Sequence, residues 1–460
     1  MHRSLLAALL LAGAPVAAAQ APARATLLQR LDSIAGAPVK AGSVAGMAVA
    51  VVRGRDTLLY KGYGFADLEN QVPVTPGTVF RIGSVTKQFT SAAVMQLVEQ
   101  HKVSLDDELS TYVPKYPTRG QRILVRHLMN HTSGIPSYTD IGPAFGNVAR
   151  LDLSHDSLVG VVAPLSPQFA PGTHFYYNNT GYYMLGMLLE QVTGKPYGTY
   201  LDEQLFKPNG LAGTTYCDAR RLIPHRAQGY DRPPTGFVNT SFLSMDLPYA
   251  AGSLCSTVGD LVSWSLRLMS GRIVSPASYR EMTTPVTLPH GRPMNYGYGL
   301  SADTLGGRRI VQHGGGINGF ISALFTVPSE SLVVAVLANT SPAPSDQVAN
   351  ALARAVLGLA PASPPAPPRD LPVAAEERAR FVGTYQLTRP DGTRQEVRVT
   401  EENGQLMLQV GTQRPARMMS QGGLLFSAPG AGRVAFEVAE GKVTGFVLGG
   451  GSRSLEAVKQ

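Results

Sequence analysis

Cysteine is almost absent from this chain: Cys217 and Cys255 are the only two in 460 residues. That excludes a multi-bridged scaffold and a cysteine-ligated metal cluster. No dense run of Lys or Arg occurs, although the formal net charge is +8, so no nucleic-acid partner is expected. The scattered basic residues read as a solubility feature with weak attraction to anionic surfaces such as a cell envelope. No His-Glu-x-x-His pattern occurs either. His127 and His131 stand four apart, a zinc-ligand spacing on a helix, but without an obvious third ligand they read as histidines that hydrogen-bond a turn. Neither a metal nor a cofactor is expected.

Long apolar runs are also missing. The stretch Leu5 to Leu11, closed off by Pro15, falls short of the roughly 20 residues that span a bilayer. It follows His2 and Arg3 and precedes Ala17-Ala18-Ala19, a small-residue cleavage site before Gln20. Residues 1–19 therefore read as a secretory signal, and the mature protein as periplasmic or secreted with no transmembrane anchor. No Cys follows the apolar run, so a lipoprotein is not indicated. In an oxidising compartment the two cysteines are candidates for one disulfide, Cys217–Cys255, which would stabilise by roughly 3–4 kcal/mol through loop closure. The alternative is two buried free thiols.

What is present centres on Phe80-Arg81-Ile82-Gly83-Ser84-Val85-Thr86-Lys87-Gln88-Phe89-Thr90. Strand-like segments precede it, Met47 to Val52 and Thr57 to Tyr60. A helical pattern follows from Val85 to about His101. Ser84 thus sits where a loop enters a helix, with Lys87 one turn on and on the same side. A serine hydroxyl is a weak nucleophile until a base takes its proton, and a desolvated lysine is such a base. Ser84/Lys87 is the only Ser-x-x-Lys in the chain. Read blandly, the same residues are a helix cap followed by a solvent-facing lysine.

Three later stretches add to the pattern. Pro171-Gly172 opens a turn leading to Tyr176-Tyr177-Asn178-Asn179-Thr180, with Asn179 and Thr180 as candidate caps for a helix from Tyr183 to Val192. A phenol there can relay a proton beside an ammonium group. Ser256-Thr257-Val258-Gly259-Asp260 has capping-box spacing for a helix Leu261 to Met269, and Trp264 reads as core. Arg309 to Gln312 is a short strand running into His313-Gly314-Gly315-Gly316. A glycine run of this kind either brings backbone N–H groups close to a ligand, as in half an oxyanion hole, or makes a turn between strands. Apolar strands follow at Ile321 to Val327 and Leu332 to Leu337.

The proline-rich stretch 359–375 reads as a semi-rigid linker. It separates residues 20–358 from a C-terminal β domain, 376–460, whose short alternating segments and Gly, Asn and Pro-Asp-Gly turns read as a small antiparallel barrel or sandwich.

Taken in order, these motifs resemble the serine β-lactamase and penicillin-binding-protein superfamily, in the branch of class C β-lactamases, D-alanyl-D-alanine carboxypeptidases and related esterases. The likeness covers about residues 40–345. It rests on Gly83 to Thr90, Leu105-Asp106-Asp107, His131-Thr132-Ser133-Gly134, Pro171-Gly172 through Tyr177-Asn178-Asn179, Ser256-Thr257 with Asp260, and His313-Gly314-Gly315. It implies an α/β (α+β) fold, a β-lactamase/transpeptidase-like antiparallel sheet flanked by helices with an all-helical region. The C-terminal segment resembles an appended lipocalin-like barrel.

The resemblance also implies roles. Ser84 would be acylated, and Lys87 and Tyr177 would handle protons, either one serving as base. Asn179 would hydrogen-bond the substrate and Lys87. The N–H groups of Ser84 and Gly316 would form the oxyanion hole, beside Gly315. His313 would stand where a Lys or His helps seat a substrate carboxylate. Tyr176-x-Asn178 fits the second motif as well, but the flanking residues favour the Tyr177/Asn179 frame. His-Gly-Gly in place of Lys-Thr-Gly, and Asn178 in place of a small serine, argue against strong β-lactamase activity. The expected function is an exported serine hydrolase acting through an acyl-enzyme on an ester or a peptide, with a small-molecule or peptide substrate such as a peptidoglycan fragment. The alternative is a non-hydrolytic sensor that uses the same cleft.

Overall fold

The computed structural model describes residues 16–142, 144–289, 294–362, 369–389, 393–449 and 455–460. Most of the signal-segment reading, and the proline run 363–368, lie outside the described residues. No described helix is long and apolar enough to cross a membrane.

Seven strands make the main sheet: β1 (Gly46–Arg53), β2 (Asp56–Asp67), β3 (Val72–Pro73), β4 (Ser301–Leu305), β5 (Arg308–Ile317), β6 (Phe320–Val327) and β7 (Leu332–Ala338). Their spatial order is β3-β2-β1-β7-β6-β5-β4. The strands from β2 through β4 pair antiparallel, and β2 pairs β3 in the same sense. Val49 lies opposite Val336. The glycine run is part of strand β5, with Gly315 opposite Ser322, and not a turn.

The first six residues of β1 and all seven of β7 are buried, because both faces of the sheet are covered. Met47, Val49, Val51, Val334 and Val336 point to one side. There they meet Leu31 of helix α1 (Val16–Lys40) and Val348 and Leu352 of the late helix Ser345–Val356. Ala48, Ala50, Val333, Ala335 and Leu337 alternate to the other side and join a larger core. A strand's side-chain period of two divides one apolar run between two cores.

The larger core is built on helix α2 (Thr86–Glu99), buried at eleven of its positions. Phe89 stacks on Trp264, ring centroids 3.9 Å apart. Helix α3 (Asn179–Thr193), the single-turn helix α4 (Tyr249–Gly252) and α5 (Val258–Met269) pack around it; the late helix Ser345–Val356 is α6. Helix α3 starts four residues before the expected Tyr183. Its cap is Asn178, whose Oδ1 accepts the Gly181 N–H at 2.8 Å, and not Asn179 or Thr180. Asn179 becomes the first helical residue with its amide free for other work. At α5, Thr257 caps as expected by accepting the Asp260 N–H, but the Asp260 carboxylate turns away to Gly213 N–H and Thr214 Oγ1.

Cys217 and Cys255 are joined in a disulfide, with Cα atoms 5.2 Å apart. Cys255 lies opposite both Arg81 and Thr215, so the bridge braces the short strand that leads to Ser84. The C-terminal part is a separate, nearly closed nine-stranded antiparallel barrel running from Gly383 to Lys459. Phe381, Tyr385, Phe426, Phe436 and Phe446 fill its interior.

Candidate active site

Ser84 lies in a tight turn, Gly83–Val85, at the head of α2. The turn needs glycine at 83: its φ is +49°, and a Cβ there would sit 3.0 Å from Gly316 N on β5. The same close approach governs Gly315, where a Cβ would lie 2.0 Å from Ile82 O and 2.4 Å from Ser322 Oγ. Ser322 Oγ donates to Ile82 O at 2.8 Å, fixing the turn to the sheet. Gly315→Ala is therefore expected to destabilise the protein by roughly 3 kcal/mol, read as a lowered urea midpoint. An unchanged midpoint would show that strand and turn part more easily than this packing allows.

Lys87 is fully buried. Its Nζ lies 3.1 Å from Ser84 Oγ, 2.8 Å from Asn179 Oδ1 and 2.8 Å from Ala251 O. No described carboxylate pairs with it, and burial pushes its pKa well below the ordinary lysine value. A neutral amine has two N–H donors and one lone pair. The amide and carbonyl oxygens can only accept, so in that neutral form they take the two donors and the lone pair is left for the Ser84 O–H; as an ammonium, Nζ donates to Ser84 Oγ as well. The neutral form is the arrangement a general base requires.

Tyr177 packs between this amine and His131. Lys87 Nζ stands 4.7 Å from the Tyr177 ring centre, and the His131 ring lies 4.3 Å away on centroids. Tyr176 turns elsewhere, donating to Asp140 Oδ2 at 3.1 Å. Tyr177 and Asn179, the frame preferred from sequence, are the pair gathered at Ser84. Asn179 Nδ2 reaches Thr139 Oγ1 at 3.4 Å.

The two histidines four apart serve the backbone. His127 Nδ1 accepts the Leu124 N–H at 3.2 Å, and His131 Nδ1 accepts the Asn178 N–H at 3.0 Å. Burial carries the His127 pKa down to about 4 and that of His131 well below its ordinary value. No metal-holding cluster occurs among the described residues.

His313 is hydrogen-bonded at both ring nitrogens. A carbonyl only accepts, so Nδ1–H donates to Gly314 O at 2.6 Å, and Nε2 accepts from Tyr296 Oη at 2.8 Å. Burial, with Lys87 nearby, takes its pKa down to about 3. The ring is neutral and both nitrogens are engaged, so it offers a substrate carboxylate no charge.

Two participants were not read from sequence: the Ala251 carbonyl, a backbone atom, and Tyr296. Tyr296-Gly297-Tyr298-Gly299 carried a signal, since a Cβ at Gly299 would come within 2.7 Å of Lys87 O. Ser84 lies where two cavities meet. One, of about 700 Å³, is lined by Tyr177, Tyr296, Gln312 and His313. The other, of about 120 Å³, is lined by Tyr138, Asn179, Leu247, Gly316 and Ile317.

A family model described as Beta-lactamase matches residues 31–359. The chain belongs to the β-lactamase family. Within that family, it is 29% identical over 316 residues to a D-aminopeptidase of Gluconobacter oxydans (strain 621H), a match covering 68% of this chain and 59% of the relative. It therefore spans about three fifths of that protein's length. It is 28% identical over 381 residues to penicillin-binding protein 4* of Bacillus subtilis (strain 168), covering 79% of this chain and 83% of the relative. The crystal structure of D-amino acid amidase from Ochrobactrum anthropi SV3, complexed with L-phenylalanine amide, superposes with a TM-score of 0.64 at 26% identity. That match covers 72% of this chain and 99% of the amidase.

Proposed function

We propose that this protein is an exported serine hydrolase that cleaves amide bonds of small D-aminoacyl substrates through an acyl-enzyme on Ser84. The observation that carries the reading is a fully buried Lys87 whose Nζ lies 3.1 Å from Ser84 Oγ, with Asn179 Oδ1 and Ala251 O each at 2.8 Å. A binding protein has no need of a desolvated base beside its serine. The names of the aminopeptidase and amidase relatives support an amide as substrate and the D configuration.

In this mechanism Lys87 takes the Ser84 proton as Oγ attacks the carbonyl carbon. The resulting oxyanion accepts hydrogen bonds from the Ser84 and Gly316 N–H groups. Collapse breaks the C–N bond, and the departing nitrogen takes a proton from Tyr177, which Lys87 reprotonates. Water then attacks the acyl-enzyme, with Lys87 again as base.

Substituting Tyr177→Phe separates the roles. An amide nitrogen must be protonated to leave, whereas p-nitrophenolate leaves as the anion. D-alanyl p-nitroanilide turnover is expected to fall about 100-fold or more, and that of the matching p-nitrophenyl ester by less than about fivefold. Equal losses would make Tyr177 the base. A single stoichiometric adduct on wild-type Ser84 by mass spectrometry, with no turnover, would instead indicate the non-hydrolytic sensor.

A further inference from the structure

The larger cavity beside Ser84 holds Tyr177, the group assigned to the leaving nitrogen, so it is the leaving-group side. Among its described lining residues there is no Lys and no Arg, and the two charged side chains are Asp303 and Asp346. Asp303 is on β4, two strands from the glycine run's partner β6, and Asp346 is in the first turn of α6. Asp346 reaches the strand itself: a Cβ on Gly314 would meet its carboxylate oxygens at 3.3 and 3.5 Å. Gly314 adjoins His313, whose neutral ring adds no positive charge. The remaining polar lining, including Gln312, Gln347 and Asn350, is uncharged.

Lys87 is buried behind Ser84 and does not line this cavity. Arg308 and Arg309 of β5 do not line the cavity. Arg308 pairs with Glu330 at 2.8 Å, and Arg309 donates to Thr283 O. A free α-carboxylate on the leaving residue would therefore enter a cavity carrying two negative charges, while an ammonium would find both attractive.

Building on the amide-hydrolase reading above, we propose that Asp303 and Asp346 make this cavity select the leaving group by charge. Amine leaving groups that bear a positive charge are favoured, neutral ones are accepted, and those ending in a free carboxylate are rejected. The preferred substrates are thus acyl amides of diamines or of amidated, cationic peptides, and not dipeptides with a free C-terminus.

Two matched D-alanyl series test this. The amide series has glycine, glycinamide and ethylenediamine as leaving amines. The ester series has glycolate, 2-methoxyethanol and choline as leaving alcohols. In each, kcat/KM is expected to rise from anion to neutral to cation, by on the order of tenfold across the series at low salt. The spread should shrink as ionic strength rises. In the Asp303→Asn/Asp346→Asn double variant the cation-to-anion ratio is expected to fall to within about twofold of one. A carboxylate-bearing leaving group cleaved as fast as its neutral partner would overturn the proposal, as would a double variant that keeps the full ratio. Loss of the amide series alone would overturn the amide reading while the ester order still decides charge selection. Silence in both series would overturn the two together.

Discussion

Ser84→Ala is expected to lower amide and ester turnover by at least about 10⁴-fold while the protein stays folded. The rate goes because the bond-forming atom is removed, and no other described serine lies against Lys87. The fold stays because, among the described residues, the Ser84 hydroxyl is joined only to Lys87 Nζ, which keeps its two acceptors on Asn179 and Ala251. The melting temperature should therefore shift by no more than about 2 °C. Steady-state kinetics with the intact mass of substrate-treated protein provide the check. A variant that still turns over at the wild-type rate, or still gains an acyl group, would remove Ser84 from the mechanism.

Lys87→Met is expected to lower turnover by about 10³-fold or more and to change how stability depends on pH. Burial lowers the folded-state pKa of Lys87 well below its ordinary value of 10.5. Between that lowered value and 10.5, the unfolded chain binds more protons than the folded one. Wild-type stability therefore rises with pH across this window, by at most about 1.4 kcal/mol per pH unit from this group. Methionine does not titrate, so the variant loses that slope, and its advantage over wild type at neutral pH shrinks as pH approaches 10.5. Part of that advantage is offset because the oxygens of Asn179 and Ala251 lose their donor. Urea unfolding of both proteins from pH 6 to 10 measures the difference. Parallel curves would mean that Lys87 folds with its charge, and the base would have to be sought in Tyr177.

Much of this site was legible because its chemistry is local. Gly83, Ser84 and Lys87 lie within one turn, so helical spacing alone places nucleophile beside base. The alternating burial of β1 and β7 follows from runs of Val, Ala and Leu that only a sheet covered on both faces can hide. Other features depend on partners distant in sequence. The glycines after His313 were compatible with a turn, and only the approach of Ile82 O explains why they form a strand without side chains. His313 reads as a neutral ring from sequence, but that Tyr296 engages its Nε2 is not something spacing reveals. Asn178, rather than Asn179, caps α3 because His131 and Ile135 anchor it, a choice made by residues more than forty positions upstream.

The pairing of β1 with β7 has a consequence for synthesis. Met47 waits for Ala338, about 290 residues later, before the middle of the sheet can close. Helix α1 likewise waits for α6 to complete the core they share. A ribosome that has released everything up to β6 has delivered the nucleophile, the base and the glycine strand, yet β1 still presents an open hydrogen-bonding edge. The nascent chain is then exposed to aggregation and proteolysis until about the last tenth of the catalytic part arrives. Its active site can be complete in residues well before it is complete in space.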